Sequence, residues 1–247
     1  MPFDLLDPIT ADGPTRNWKE EEDYELYKAN VAADHIVPPR IEDVDPSVIG
    51  SPIVVLVSSL GECLASALVD ADAGPVGRVS STASTSAIYR MPGGANVVVA
   101  DIAPEHSVAW TREVFRCLEP TSVFVVSGKA GFNFRGTIDA ESTSHNVYCL
   151  HTNSKETASS VPPLPNSNLL DGLGAALMLE AEYLGLPASA VIAIELTRSP
   201  EAGLVCAVGD TLLAMLERRS LSAHESGRIK TACANKYAAS ADLSVYV

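Results

Sequence analysis

Residues 53–69 read Ile-Val-Val-Leu-Val-Ser-Ser-Leu-Gly-Glu-Cys-Leu-Ala-Ser-Ala-Leu-Val, and the first five, Ile53 to Val57, are apolar without alternation. A strand with one wet face alternates apolar and polar residues, so a continuous run predicts a strand buried on both faces. Gly61 follows, and Cys63 to Val69 is apolar and compatible with a helix. The unit is therefore strand, turn, helix.

The pattern recurs along the chain. Val97 to Ile102 reads as a second buried strand. Pro104 and Glu105 then start a helix whose Val108, Thr111, Val114, Phe115 and Leu118 share one face until Pro120 ends it. Further strands are expected at Ser122 to Val126, His145 to Leu150 and Val191 to Leu196, with helices at Leu169 to Leu184 and Leu204 to Arg218. Ser222 and Glu225 have capping-box spacing and open a last helix, from about Ala223 to Tyr237. Apolar strands separated by helices predict an α/β fold, a three-layer α/β/α domain with a mainly parallel sheet. Ala73 to Gly94 and Lys129 to Ser144 are each compatible with a loop or a twisted edge hairpin. Thr152 to Asn168, carrying Pro162, Pro163 and Pro165, reads as a loop.

The flanks differ from this core. Residues 1–50 hold twelve acidic and four basic side chains, net −8 of the chain's −14, including Glu20-Glu21-Glu22-Asp23. With six prolines among them they predict an acidic extension, extended in part, with one short helix near Trp18 to Ala33. At the other end, residues 238–242 are small or polar before Leu243, Val245 and Tyr246. The expected organisation is an extension over 1–50, a domain over 51–238 and a flexible C-terminal tail over 239–247. Val245, Tyr246 and Val247 are the candidate partner-binding residues. A valine for an apolar notch, a phenol with one polar handle and a terminal carboxylate together suit a groove that carries a lysine.

Composition excludes several function classes. A net charge of −14 without a basic run argues against nucleic acid as a partner. No apolar run reaches the 18 or so residues that span a bilayer, so no membrane partner is expected. Five widely spaced cysteines fit buried thiols in a reducing compartment, and a cytoplasmic or nuclear location is expected.

The sequence holds no Gly-x-Ser-x-Gly, P-loop, His-Glu-x-x-His or Cys-x-x-Cys motif, so no catalytic residue, metal or cofactor is expected. Gly172-Leu173-Gly174 begins like a dinucleotide fingerprint but follows a proline-rich loop instead of a strand, which favours close helix packing. His145 and His151 would lie about 20 Å apart on one strand, too far to share a metal. Lys129 is the best single candidate for an anion-binding lysine. Glu180, Glu182 and Glu195 flank apolar segments and read as solvated.

Taken together, the strand at Ile53 to Val57, the helix and strand over Ser107 to Ser127, Leu164-Pro165-Asn166 before the helix at Leu169, Leu186-Pro187 before the strand at Val191, and the terminal Val245-Tyr246-Val247 resemble the proteasome assembly chaperone family. The resemblance spans roughly residues 50–220 and the tail. It implies a non-catalytic α/β/α domain that pairs with a paralogue, proteasome assembly chaperone 2, and holds proteasome α-subunits during ring assembly. Val245 would then fill an apolar notch, Tyr246 the pocket wall, and the Val247 carboxylate would meet a lysine between α-subunits. The competing expectation is an enzyme of related architecture, nucleoside phosphorylase-like or a small-molecule hydrolase.

Overall fold

The computed structural model describes residues 39–70, 72–80, 85–137, 146–152, 161–197 and 199–243. The chain divides into two units, Met1–Val37 and Pro38–Val247. The first unit, with Glu20 to Asp23 and the helix expected near Trp18, lies outside the described residues. So do Val245, Tyr246 and Val247.

The second unit is built on an eight-stranded sheet. Strand β2, Ile53–Val57, lies inside it, parallel to β5, Asn96–Ala100, on one side and to β6, Val123–Ala130, on the other. Strand β8, Ala188–Glu195, continues the parallel set beside β6. In full, the order is β1-β3-β4-β5-β2-β6-β8-β7, with β1 at Arg40–Glu42, β3 at Gly77–Ser80, β4 at Thr85–Arg90 and β7 at Val147–His151. Both edges pair antiparallel, so the sheet is mixed: a four-stranded parallel heart lies between antiparallel margins. The segment Ala73 to Gly94 supplies the β3–β4 hairpin rather than a loop, but β1 pairs outside β3, so the hairpin does not form the sheet edge expected of it.

Among the described residues, five α-helices cover the sheet: α1 Ser58–Leu68, α2 Ser107–Leu118, α3 Gly172–Tyr183, α4 Ala202–Met215 and α5 Ala223–Leu243. Strand period fixes their placement, because neighbouring residues on β2 point to opposite faces. Ile53 and Val55 join Val98, Val125 and Ile192 in one core with Trp110, Val114 and Leu118 of α2 and Leu173 and Leu177 of α3. Val54 and Leu56 join Val97, Val126 and Val191 in a second core with Leu60 and Leu64 of α1, Val205, Val208 and Leu212 of α4, and Ile229 of α5.

Two boundaries and one buried face differ from expectation. The folded unit starts at Pro38 rather than residue 51: β1 pairs with β3, and Asn96 donates from its buried amide to the Val48 carbonyl at 2.9 Å. A three-residue strand carries too little periodicity to be seen in sequence. Helix α5 continues past Tyr237 to Leu243, since Ala238, Ala239 and Ala241 favour helix once a preceding turn exists. Finally, Val108 lies outside the buried face of α2, which Trp110 joins instead.

Gly61 shows how tightly α1 sits on β2. A Cβ there would lie 2.7 Å from the Leu56 carbonyl carbon, which is main chain and cannot step aside, whereas a Cβ at Gly227 in α5 would meet nothing within 4 Å. Gly61→Ala is therefore expected to lose about 1–3 kcal/mol by overpacking, and Gly227→Ala to gain up to about 1 kcal/mol of helix propensity. Denaturant midpoints of the two variants against the parent check both signs.

Candidate functional site

In open α/β sheets the chemistry gathers at the carboxyl ends of the parallel strands, where the strand order reverses. Here β5 and β6 leave β2 in opposite directions, so the ends of these three strands define that point. Ser58 follows β2 with φ of 71°, an uncommon conformation for a residue with a side chain, and its Oγ is buried without a hydrogen-bond partner among the described residues. A strand-to-helix serine at positive φ is the local geometry of a nucleophile elbow. Activation would need a base hydrogen-bonded to that oxygen, and no described residue supplies one. Of the described histidines, His151 pairs through Nδ1 with Ser189 Oγ at 2.8 Å, at the opposite end of β8.

The other strand ends are structural in their contacts. Lys129, the expected anion-binding lysine, donates from Nζ to the Leu169 carbonyl at 3.0 Å and so ties β6 to the segment before α3. Glu195 closes β8 and lies over Gly128, where a Cβ would collide with its carboxylate. Burial raises the Glu195 carboxyl above the ordinary 4.5, so this side chain is not the solvated one the sequence suggests. Glu180 is bridged to Arg112 of α2 at 3.5 Å, and Glu182 is exposed. Gly174 is buried on α3, but a Cβ there would make only ordinary contact with Leu170, at 3.4 Å, and one at Gly172 would meet nothing within 4 Å, so the close packing expected of these glycines is not required. Among the described residues, no three histidine, cysteine or acidic side chains are grouped to hold a metal ion. No helix among them is long and apolar enough to cross a membrane. All five cysteines are free, and Cys63, Cys149 and Cys233 are buried.

Helix α3 carries the most unusual surface. Its sequence, Gly-Leu-Gly-Ala-Ala-Leu-Met-Leu-Glu-Ala-Glu-Tyr, is apolar nearly all round, a pattern expected of a helix covered on every side. Only one side is covered: Leu173, Leu177, Met178 and Ala181 enter the core. Leu179 is 67% exposed, Tyr183 85%, and Leu184 just beyond is exposed too. On the neighbouring helix α2, Val108 is 51% exposed. The sequence reading missed these residues as a surface. The signal was there, in the absence of a polar face on α3.

Helix α5, which precedes the candidate residues in sequence, is held to the domain along its described part: Ile229 and Cys233 are buried, and Lys236 is bonded to Glu62 of α1.

No family model matches this chain, and no curated protein matches it. Solved structures do. An archaeal homolog of proteasome-assembly chaperone, PbaA of Pyrococcus furiosus, matches with a TM-score of 0.60 at 15% identity, over 78% of this chain and 92% of that one. PbaB of the same organism, an archaeal proteasome activator, matches at 0.56 and 12% identity, over 78% and 95%. A PAC2 family protein from Streptomyces avermitilis matches at 0.50 and 13%, over 74% and 94%. At such identities the shared property is the fold: the α/β sheet and helices described above are the architecture of these proteins.

The Glu195 carboxyl gives a pH test of this description. A carboxylate whose pKa is raised on folding contributes stability below its unfolded pKa and loses it as pH rises through the folded value. Glu195→Gln is therefore expected to raise the melting temperature at pH 7, with the gain disappearing below about pH 4.5, where the parent is protonated in both states. Thermal melts of both proteins across pH 3.5–8 check the sign.

Proposed function

We propose that this chain is a proteasome assembly chaperone, acting as proteasome assembly chaperone 1 does: it pairs with a paralogous second chaperone and binds α-subunits through Val245, Tyr246 and Val247 to promote α-ring assembly. The observation that carries this reading is the fold shared with PbaA and PbaB over more than nine-tenths of their lengths, in a chain ending hydrophobic-Tyr-X. The fold alone does not decide function. The tail supplies the site-level argument, and the exposed apolar stripe on α3 adds a second, because monomers seldom expose contiguous apolar surface.

In this reading the domain is non-catalytic, three-layered and active in the cytoplasm or nucleus, and its affinity is divided. A charge-assisted contact between the Val247 carboxylate and a lysine contributes about 1.5–3 kcal/mol. Three residues bind weakly by themselves, so the domain must supply the rest.

Two outcomes follow. Tyr246→Ala, Val245→Asp, and a one-residue extension after Val247 should each weaken binding to purified α-subunits by about 5–150-fold, or about 1–3 kcal/mol, with melting temperatures unchanged. Equal affinity of all three variants and the parent would remove the tail from the mechanism. Separately, the double variant Leu179→Ser, Tyr183→Ser should run as a better-behaved monomer on size exclusion and lose pairing with the co-expressed paralogue. A parent that is monomeric and indifferent to the paralogue would contradict the pairing.

A further inference from the structure

The loop between α4 and α5 carries Arg218 and Arg219, and Arg228 follows within α5. All three line one cavity of about 650 Å³, whose apolar wall includes Leu68, Met91 and Leu213. In a chain of net charge −14, three guanidinium groups around one hollow are not a consequence of composition.

Two of the three are held in place by main chain far away in sequence. Arg218 donates to the Pro92 carbonyl, and Arg228 donates from Nη2 to the Val69 carbonyl at 2.7 Å. The backbone is shaped to admit the first of them: Gly93 has φ of 95°, and a Cβ there would come within 2.6 Å of Arg218 Nη2. A carbonyl acceptor uses one of a guanidinium's five N–H groups and cancels none of its charge. No described carboxylate forms an ion pair with Arg218 or Arg228. Arg219 stands 3.5 Å from Glu225, whose carboxylate also accepts the Ser222 N–H at 2.6 Å in the capping box of α5. Asp70 is the other acid on the wall. The cavity thus keeps an excess of positive charge, fixed before any ligand arrives.

We propose that this cavity binds a small organic phosphate, a phosphoryl group carried on an apolar or aromatic body of about nucleotide size. Guanidinium groups from different elements match an oxyanion with several acceptors, and Arg offers the planar fork that phosphate recognition uses. The α5 amino terminus at the same rim adds a favourable dipole. The volume lies within the range of ordinary small-molecule sites, and Leu68, Met91 and Leu213 give the body of the ligand an apolar surface. This site is separate from the tail and from α3, so its test is independent of α-subunit binding.

The test is calorimetric titration of the full chain with adenosine monophosphate, alongside adenosine and inorganic phosphate. Adenosine monophosphate is expected to bind at least about ten-fold more tightly than either part alone, because both halves of the cavity contribute. Arg218→Gln and Gly93→Ala should each weaken it about ten-fold, the effect of losing or displacing one charge-assisted contact. Arg228 also holds the end of α1, so Arg219→Gln serves as the exposed variant. It should weaken binding measurably while leaving the thermal melt of the unliganded protein unchanged. The proposal is overturned by no binding of adenosine monophosphate up to about 5 mM, by inorganic phosphate or adenosine binding as tightly as the nucleotide, or by arginine variants that bind like the parent.

Discussion

The burial of β2 on both faces is the constraint on which the rest of the structure depends. Val54, Val55 and Leu56 have no exposed surface, and each contributes about 1.5–3 kcal/mol relative to exposure. A strand in that position must have neighbours on both edges and helices on both faces. The parallel pairing to β5 and β6 meets the first need. Helices α2 and α3 in one core, and α1, α4 and α5 in the other, meet the second. Gly61 follows from the same demand, because α1 starts directly from the end of β2 and has to fold back over Leu56 without room for a Cβ.

That demand also separates what the core uses from what it leaves over. Helix α2 has one apolar face and presents Arg112 and Arg116 outward. Helix α3 lies beside it with apolar residues on both faces, and only one is spent on the core. The unused face does not stabilise the isolated domain. A stripe of leucine and tyrosine in water is a cost to the isolated domain, and the proposed function gives the α3 surface and the terminal triplet one use although they lie on different elements.

Much of the parallel heart was legible in the sequence, because strands such as Ile53 to Val57 and the one containing Val191 to Glu195 are apolar runs that no other environment explains. The capping box was equally legible: Ser222 and Glu225 exchange the expected bonds, at 3.2 and 2.6 Å. Less was legible at the margins. The strand Arg40–Glu42 is held by pairing with β3, in which Ile41 lies opposite Val79, 38 residues along the chain, and no local pattern announces that contact. The extra helical turns of α5 come from alanines whose preference matters only after a packed helix precedes them. Glu195 looked solvated because a glutamate after an apolar run commonly is, and the small residue that lets it fold inward, Gly128, is its neighbour only across the sheet. The arginine cavity joins the β4–β5 turn, the end of α1 and the α4–α5 loop, so nothing in the sequence brings its residues together. The terminal triplet is the reverse case, read entirely from sequence.

The most direct measurement of the central claim is native mass spectrometry of this chain co-expressed with proteasome α-subunits and the paralogous chaperone. The expected spectrum contains one complex in which the chain, the paralogue and α-subunits are present in fixed stoichiometry. A spectrum in which the chain stays apart from the α-subunits, with and without the paralogue, would contradict the assignment.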